Sequence, residues 1–235
     1  MNSIAMGNTD IRGICSMATR GLLAELCAEY AQRSGIAIDI EAAGGVDAAK
    51  RVSADEPFDV VFLAADAIAR LAAAGKVDPT SQTALVTSGV AAAVPAGALR
   101  PDLSSEAAVR AAVLAAPRIA YSTGPSGVAL LELFQRWGVG EQLRNRLLQA
   151  PSGVPVGTLL ARGEATLGFQ QLSELIGLPG IELLGPLPEP IRIDTVFSGA
   201  ICTAGARPEA ARALLGFLAS PACDESKRRH GMAPA

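Results

Sequence analysis

The chain has 235 residues, half of them apolar and 18% charged, the composition of a folded globular protein with room for one large domain or two small lobes. Its net charge of −3, with no basic block beyond Lys227-Arg228-Arg229, excludes a nucleic-acid binder, because neutralising phosphates needs clustered cations. Any anion site must therefore be local rather than the product of an overall field.

Met1 to Asp10 is polar and lacks a basic segment followed by an apolar one, so no leader is expected and folding should begin near Ile11. No apolar run approaches the roughly 18 residues of a membrane span. The chain as given is expected in the cytoplasm, or in the periplasm if a leader was removed. Cys15, Cys27, Cys202 and Cys223 match no zinc spacing and no CxxC pair, which predicts buried reduced thiols and no metal.

Ile11 to Ser16 reads as a strand. The helix after it carries Leu22, Leu23, Leu26, Cys27 and Tyr30 on one stripe and stops at Ser34-Gly35. Ile36 to Glu41 alternates like a strand, Asp47 to Val52 is a short helix, and Phe58 to Leu63 is a buried strand followed by a helix over 66–74. A second set follows: a long strand over 85–94, an alanine-rich helix over 104–115, a strand over 118–121 and a helix over 127–137. Next come a helix over 156–162, a strand over 165–169 and a helical turn over 172–176. The proline-rich stretch 178–190 reads as a crossing, and the chain closes with a strand over 194–202, a helix that Pro208 opens, and a tail. Such alternation predicts an α/β fold with βαβ units and a parallel sheet.

In open α/β sheets ligands sit where strands end and helices begin, and helix starts favour anions. Five turns carry suitable groups. Ser16-Met17-Ala18-Thr19-Arg20 has two hydroxyls and a guanidinium. Gly44-Gly45 allows close backbone approach. Tyr121 to Gly127 holds Ser122 and Ser126, Ser152 to Pro155 holds Val154, and Gly168-Phe169 leads to Gln170-Gln171. Ser, Thr and Gly at these places also serve simply as helix caps. His230, the lone histidine, is a weak candidate base in the tail, and no Ser-His-Asp order, GxSxG elbow or Walker motif is present. No cofactor is implied.

Gly44-Gly45-Val46-Asp47-Ala48-Ala49-Lys50-Arg51-Val52 with Phe58 to Asp66 resembles the second loop and third strand of the molybdate-binding proteins. Gly124-Pro125-Ser126-Gly127, Arg162-Gly163-Glu164-Ala165 before Leu167-Gly168-Phe169, and the closing Phe217 to Pro221 with Arg229 to Met232 are similar to that family in the same order. The resemblance implies a two-lobed periplasmic-binding-protein type II fold with two hinge strands. Lobe I would be residues 1–84 plus 194–235, lobe II 85–193, and the hinge would lie near 83–89 and 191–198. It also implies a small anionic ligand and, if the chain is exported, an ABC transporter permease as partner.

The family's oxyanion site uses Ser in the first and second loops and a Tyr after the GEA strand. Here Ser16 is displaced by about one position, Gly44 and Gly45 replace a Ser, and Gln170 and Gln171 replace the Tyr region. Arg20 adds a charge suited to a carboxylate fork. A di- or tricarboxylate is therefore preferred to molybdate, with Ser16, Met17, Thr19, Arg20, Gly44, Gly45, Tyr121, Ser122, Ser126, Gly127, Val154, Gln170 and Gln171 around it. Two functional classes stay open: a binding protein that releases its solute unchanged, and an isomerase of an unsaturated tricarboxylate, since aconitate isomerase resembles members of this superfamily. For the second class no base is obvious from the sequence: Glu174 lies near the fifth turn, and a hydroxyl or Tyr121 could substitute.

Overall fold

The computed structural model describes residues 11–235. The polar opening segment, and the expectation that it holds no leader, lie outside the described residues. The first strand is β1 (Ile11–Ser16), which a 3-10 turn at Met17–Thr19 joins to α1 (Arg20–Ser34). Next come β2 (Ile38–Ala43), α2 (Gly45–Ser53), β3 (Val60–Ala64) and α3 (Ala65–Ala73). The long β4 (Thr83–Pro95) leads to α4 (Glu106–Ala115), β5 (Ile119–Tyr121), α5 (Pro125–Arg136), α6 (Gly140–Leu143) and β6 (Leu147–Gln149). Then follow α7 (Val156–Ala161), β7 (Leu167–Gln171), α8 (Leu172–Leu175), β8 (Ile181–Pro186) and β9 (Asp194–Ile201). The chain closes with α9 (Pro208–Ala219), α10 (Asp224–Arg229) and β10 (Ala233–Pro234).

The strands run in the order β2-β1-β3-β9-β4-β7-β5-β6, and β8 and β10 also pair with β4. This is a mixed α/β architecture, as the alternation of strands and helices implied. The sheet is not wholly parallel as the alternation predicted. β1 lies parallel to β2 and β3, and β5 parallel to β6 and β7, but β9 is antiparallel to β3 and β4, and β7 and β8 are antiparallel to β4. A chain that crosses on β4 and returns on β9 must run those two strands in opposite senses. The stretch 178–190 is corrected too: it contains β8, paired along β4 from Ala91↔Pro186 to Pro95↔Ile181. Its prolines sit around the strand's ends, where a missing N–H costs no ladder bond.

The burial pattern follows the strands' period of two. In β3, whose five residues are all buried, Val60 and Phe62 face Leu22, Leu26, Leu214 and Leu218 of α1 and α9. Val61 and Leu63 face Val52, Ile68 and Leu71 of α2 and α3. In the second half Val90 and Ala92 face Leu130, Phe134 and Phe169, while Ala91 and Ala93 face Val156, Leu160 and Leu175. Small residues bring the layers together: a Cβ on Gly168 would stand 2.6 Å from a Val156 methyl. All four cysteines are free and buried, and burial pushes the thiols of Cys15 up to about 11 and of Cys27 and Cys202 to about 12.

Asp59 fastens the chain just before β3. It is 5% exposed and accepts backbone N–H bonds from Arg12 (2.9 Å), Ala206 (2.8 Å) and Arg207 (3.0 Å), tying β1 and the entry to α9 to one carboxylate. Asp59→Ala strands these donors and should lower stability by about 2–4 kcal/mol, read from urea unfolding. A loss below about 0.5 kcal/mol would contradict that role.

Candidate functional site

The carboxyl ends of β1, β2 and β3 meet those of β5, β6 and β7 across one cleft of about 890 Å³. Helices α2, α3, α5 and α7 begin at or beside it, so their first-turn N–H groups lie near its walls. The N-cap positions of α2, α5 and α7 are Gly44, Gly124 and Pro155, and none caps with a side chain. The turn hydroxyls therefore do not cap these three helices, and the starts of α2 and α5 remain suited to an anion, while the first amide of α7 is met by Gln170.

Nine of the residues expected from the sequence line this cleft: Ser16, Met17, Gly44, Gly45, Ser122, Ser126, Val154, Gln170 and Gln171. Ser16 Oγ is buried with no hydrogen-bond partner. Ser122 and Ser126 share a hydrogen bond of 2.8 Å. Gln171 Nε2 donates to Thr195 Oγ1 at 2.8 Å, while its Oε1 is buried without a partner. A buried polar atom without a partner is costly unless something fills the site.

Four expected residues are not among the lining: Thr19, Arg20, Tyr121 and Gly127. Thr19 is buried and its Oγ1 turns back on Ser16 O at 3.3 Å. Arg20 opens α1 with an exposed side chain outside the lining. Its charge nonetheless reaches Glu174. His230 is also outside the cleft. Its Nε2 lies 2.9 Å from Glu25 Oε2, and bonds from Ser226 and His230 lower that carboxyl to about 2. His230 thus fastens the tail to α1.

Lys50, Arg70 and Glu132 line the mouth and were not picked out from the sequence. Arg70 is shared with Asp66 at 2.8 Å.

Glu174, on α8, is the distinctive group. It lines the cleft and is otherwise enclosed, and burial raises its carboxyl to about 7. Donation from Gln170 Nε2 at 2.6 Å and the Arg20 charge pull the other way. Gln170 Oε1 in turn accepts from Val156 N at 2.7 Å. A carboxyl poised near neutrality in a cleft is suited to proton transfer.

The two walls touch at one edge. Ser152 Oγ donates to Asp47 Oδ2 at 2.5 Å, between the loop after β6 and α2. Gly44 makes room for this approach, since a Cβ there would stand 2.0 Å from Ser152 Oγ.

Comparison with known proteins places these observations in a family. A family model described as bacterial extracellular solute-binding protein matches residues 11–233. An aconitate isomerase of Pseudomonas sp is 37% identical over 232 residues, 96% of this chain and 88% of that protein. The periplasmic molybdate-binding protein of Azotobacter vinelandii superimposes with a TM-score of 0.80 at 20% identity, over 95% of this chain and 98% of that one. The sulfate-binding protein SubI of Mycobacterium tuberculosis H37Rv gives 0.78 at 18% identity, over 97% and 87%. These structural likenesses carry the fold. Among the described residues no helix is long and apolar enough to cross a membrane.

Gly44→Ala tests the edge contact. The backbone there, φ −58° and ψ 139°, suits alanine, so only the approach of Ser152 is blocked. The radius of gyration from small-angle scattering should rise while the melting midpoint holds. An unchanged radius would show that this contact does not set the separation of the walls.

Proposed function

This chain belongs to the bacterial extracellular solute-binding protein family, and we propose that it closes its cleft on a small unsaturated polycarboxylate and isomerises it by moving an allylic proton. The observation that carries this reading is Glu174, a near-neutral carboxyl in the cleft wall. A protein that only holds and releases an anion gains nothing from such a group, which in its charged form repels the ligand. The near full-length likeness to an aconitate isomerase supports the same class of substrate.

In the proposed step Glu174, as carboxylate, takes a proton from a methylene flanked by a carboxylate and the double bond. The electron pair spreads over the allyl and carboxylate system, and Glu174 returns the proton to the far allylic carbon. The double bond shifts by one position and no co-reactant is consumed. The first-turn amides of α2 and α5 and the Ser16, Ser122 and Ser126 hydroxyls stabilise the charge that builds on the substrate carboxylates. Lys50 and Arg70 at the mouth offset its anionic charge on entry.

We place lobe I at 1–84 with 194–235 and lobe II at 85–193, with closure about the two crossing strands. In support, β4 pairs with β9 as far as Gly89↔Asp194 and with β7 from Val90↔Gln171. The four buried thiols suit a reducing compartment and the family description an extracellular one, and the proposed reaction depends on neither. A transporter permease becomes the expected partner if the ligand is released unchanged.

Incubation with cis- or trans-aconitate, followed by proton NMR, should show interconversion. Glu174→Gln should slow it by about 100-fold or more while the ligand dissociation constant stays within about threefold. Binding of both isomers without conversion would overturn the enzymatic reading. Micromolar binding of molybdate with none of either isomer would overturn the polycarboxylate.

A further inference from the structure

The two hydrogen bonds of Gln170 have a consequence for the proton transfer. Which end of a glutamine amide is oxygen is usually assigned rather than seen. Here it is fixed by chemistry. Val156 N is a backbone donor 2.7 Å from one end of the amide, so that end is Oε1. The other end is the NH2 group, which has no acceptor capacity, and it stands 2.6 Å from Glu174 Oε2.

We infer that Gln170 is the positioning residue of the reaction: it fixes Glu174 Oε2 with an amide N–H, leaves Oε1 for the substrate, and favours the ionised form that acts as base. The inference rests on the isomerase reading for its catalytic meaning, though not for its geometry. Val156 is the first residue of α7, so the helix start anchors the glutamine and the glutamine anchors the base. Gln170 is 2% exposed, so a partner lost from its amide is not replaced by water.

The surroundings leave this role to Gln170. The elements packed on α8 are β4, β7, α7, β8 and the turn Met17–Thr19. Among their residues only Glu182 of β8 is ionisable, and it is paired with Arg100. The tail approaches through Gly231, next to Leu172, with His230 held on Glu25. Arg20 is the one cation whose charge reaches Glu174, and its side chain is exposed. Burial pushes Glu174 up, and the Gln170 bond is the larger of the two influences that bring it back to about 7.

The sign follows directly. Removing the donor destabilises the carboxylate, so Glu174 ionises at higher pH and the rising limb of the rate profile moves up. Gln170→Met keeps the length of the side chain and cannot donate. Its apparent midpoint in kcat/KM against pH should rise by about one unit. Its kcat above the new midpoint should recover to within a few-fold of the parent, and its KM there should stay within about threefold. A packing role alone would lower the rate equally at every pH.

A second readout needs no turnover. Difference infrared spectroscopy of the carboxyl stretch, assigned with Glu174→Gln, gives the ionisation midpoint in the ligand-free protein. The same upward move is expected in Gln170→Met. An unmoved midpoint in either measurement overturns the inference. A moved infrared midpoint in a protein that converts neither aconitate isomer upholds the pairing and sinks the isomerase reading. Should Gln170→Met not fold, Gln170→Asn, which withdraws the donor by one methylene, must show the upward move, and an unmoved midpoint there overturns the inference.

Discussion

The antiparallel pairing of β4 with β9 is the constraint on which the molecule depends. β9 separates β3 from β4, and β4, 13 residues long, separates β9 from β7, so every other strand is placed relative to this pair. β4 pairs with β9 as far as Gly89 and with β7 from Val90. With this pair between them in the sheet, the carboxyl ends of the two sets of parallel strands face each other across the cleft. Helix starts then meet across a gap and not across a core. The cleft is a product of topology before it is a product of any side chain.

Chemistry enters through what the turns leave undone. Glycine stands at the N-cap positions of α2 and α5, so their first-turn amides keep their capacity for an anion, whereas the first amide of α7 is taken by Gln170. Ser16 Oγ and Gln171 Oε1 are buried without partners. The net charge of −3 supplies no attraction at long range, which leaves specificity to these local groups and to Lys50 and Arg70. Against that background one half-buried carboxyl in the cleft wall has, among the described residues, a glutamine as its hydrogen-bond partner, and its proton is held near neutrality.

Much of the fold is legible in the sequence because its signals are local. β3 is a continuous apolar run, and α9 starts at Pro208 with Ala211, Leu214, Leu215 and Leu218 inward, as the spacing predicts. Strand direction is not local. An apolar run has no arrow, and the antiparallel course of β9 follows only from the chain having crossed and returned. β8 was hidden by its flanking prolines. In the site, glycines and hydroxyls at strand ends were legible, but orientation was not: Arg20 stands at the right turn, exposed and outside the cleft lining. The Ser152–Asp47 contact joins residues 105 apart. The acidity of Glu174 depends on burial by strands and helices distant in the chain, which no motif around Leu172-Ser173-Glu174-Leu175 announces.

The central claim is that the cleft wall holds a carboxyl poised near neutral pH. It is tested most directly by carbon NMR of side-chain-labelled glutamate, with the Glu174 signal identified by its loss in Glu174→Gln. A titration midpoint near 7 in the ligand-free protein is the predicted result. A midpoint at the ordinary value near 4.5 would contradict it and leave the cleft an anion trap with no base.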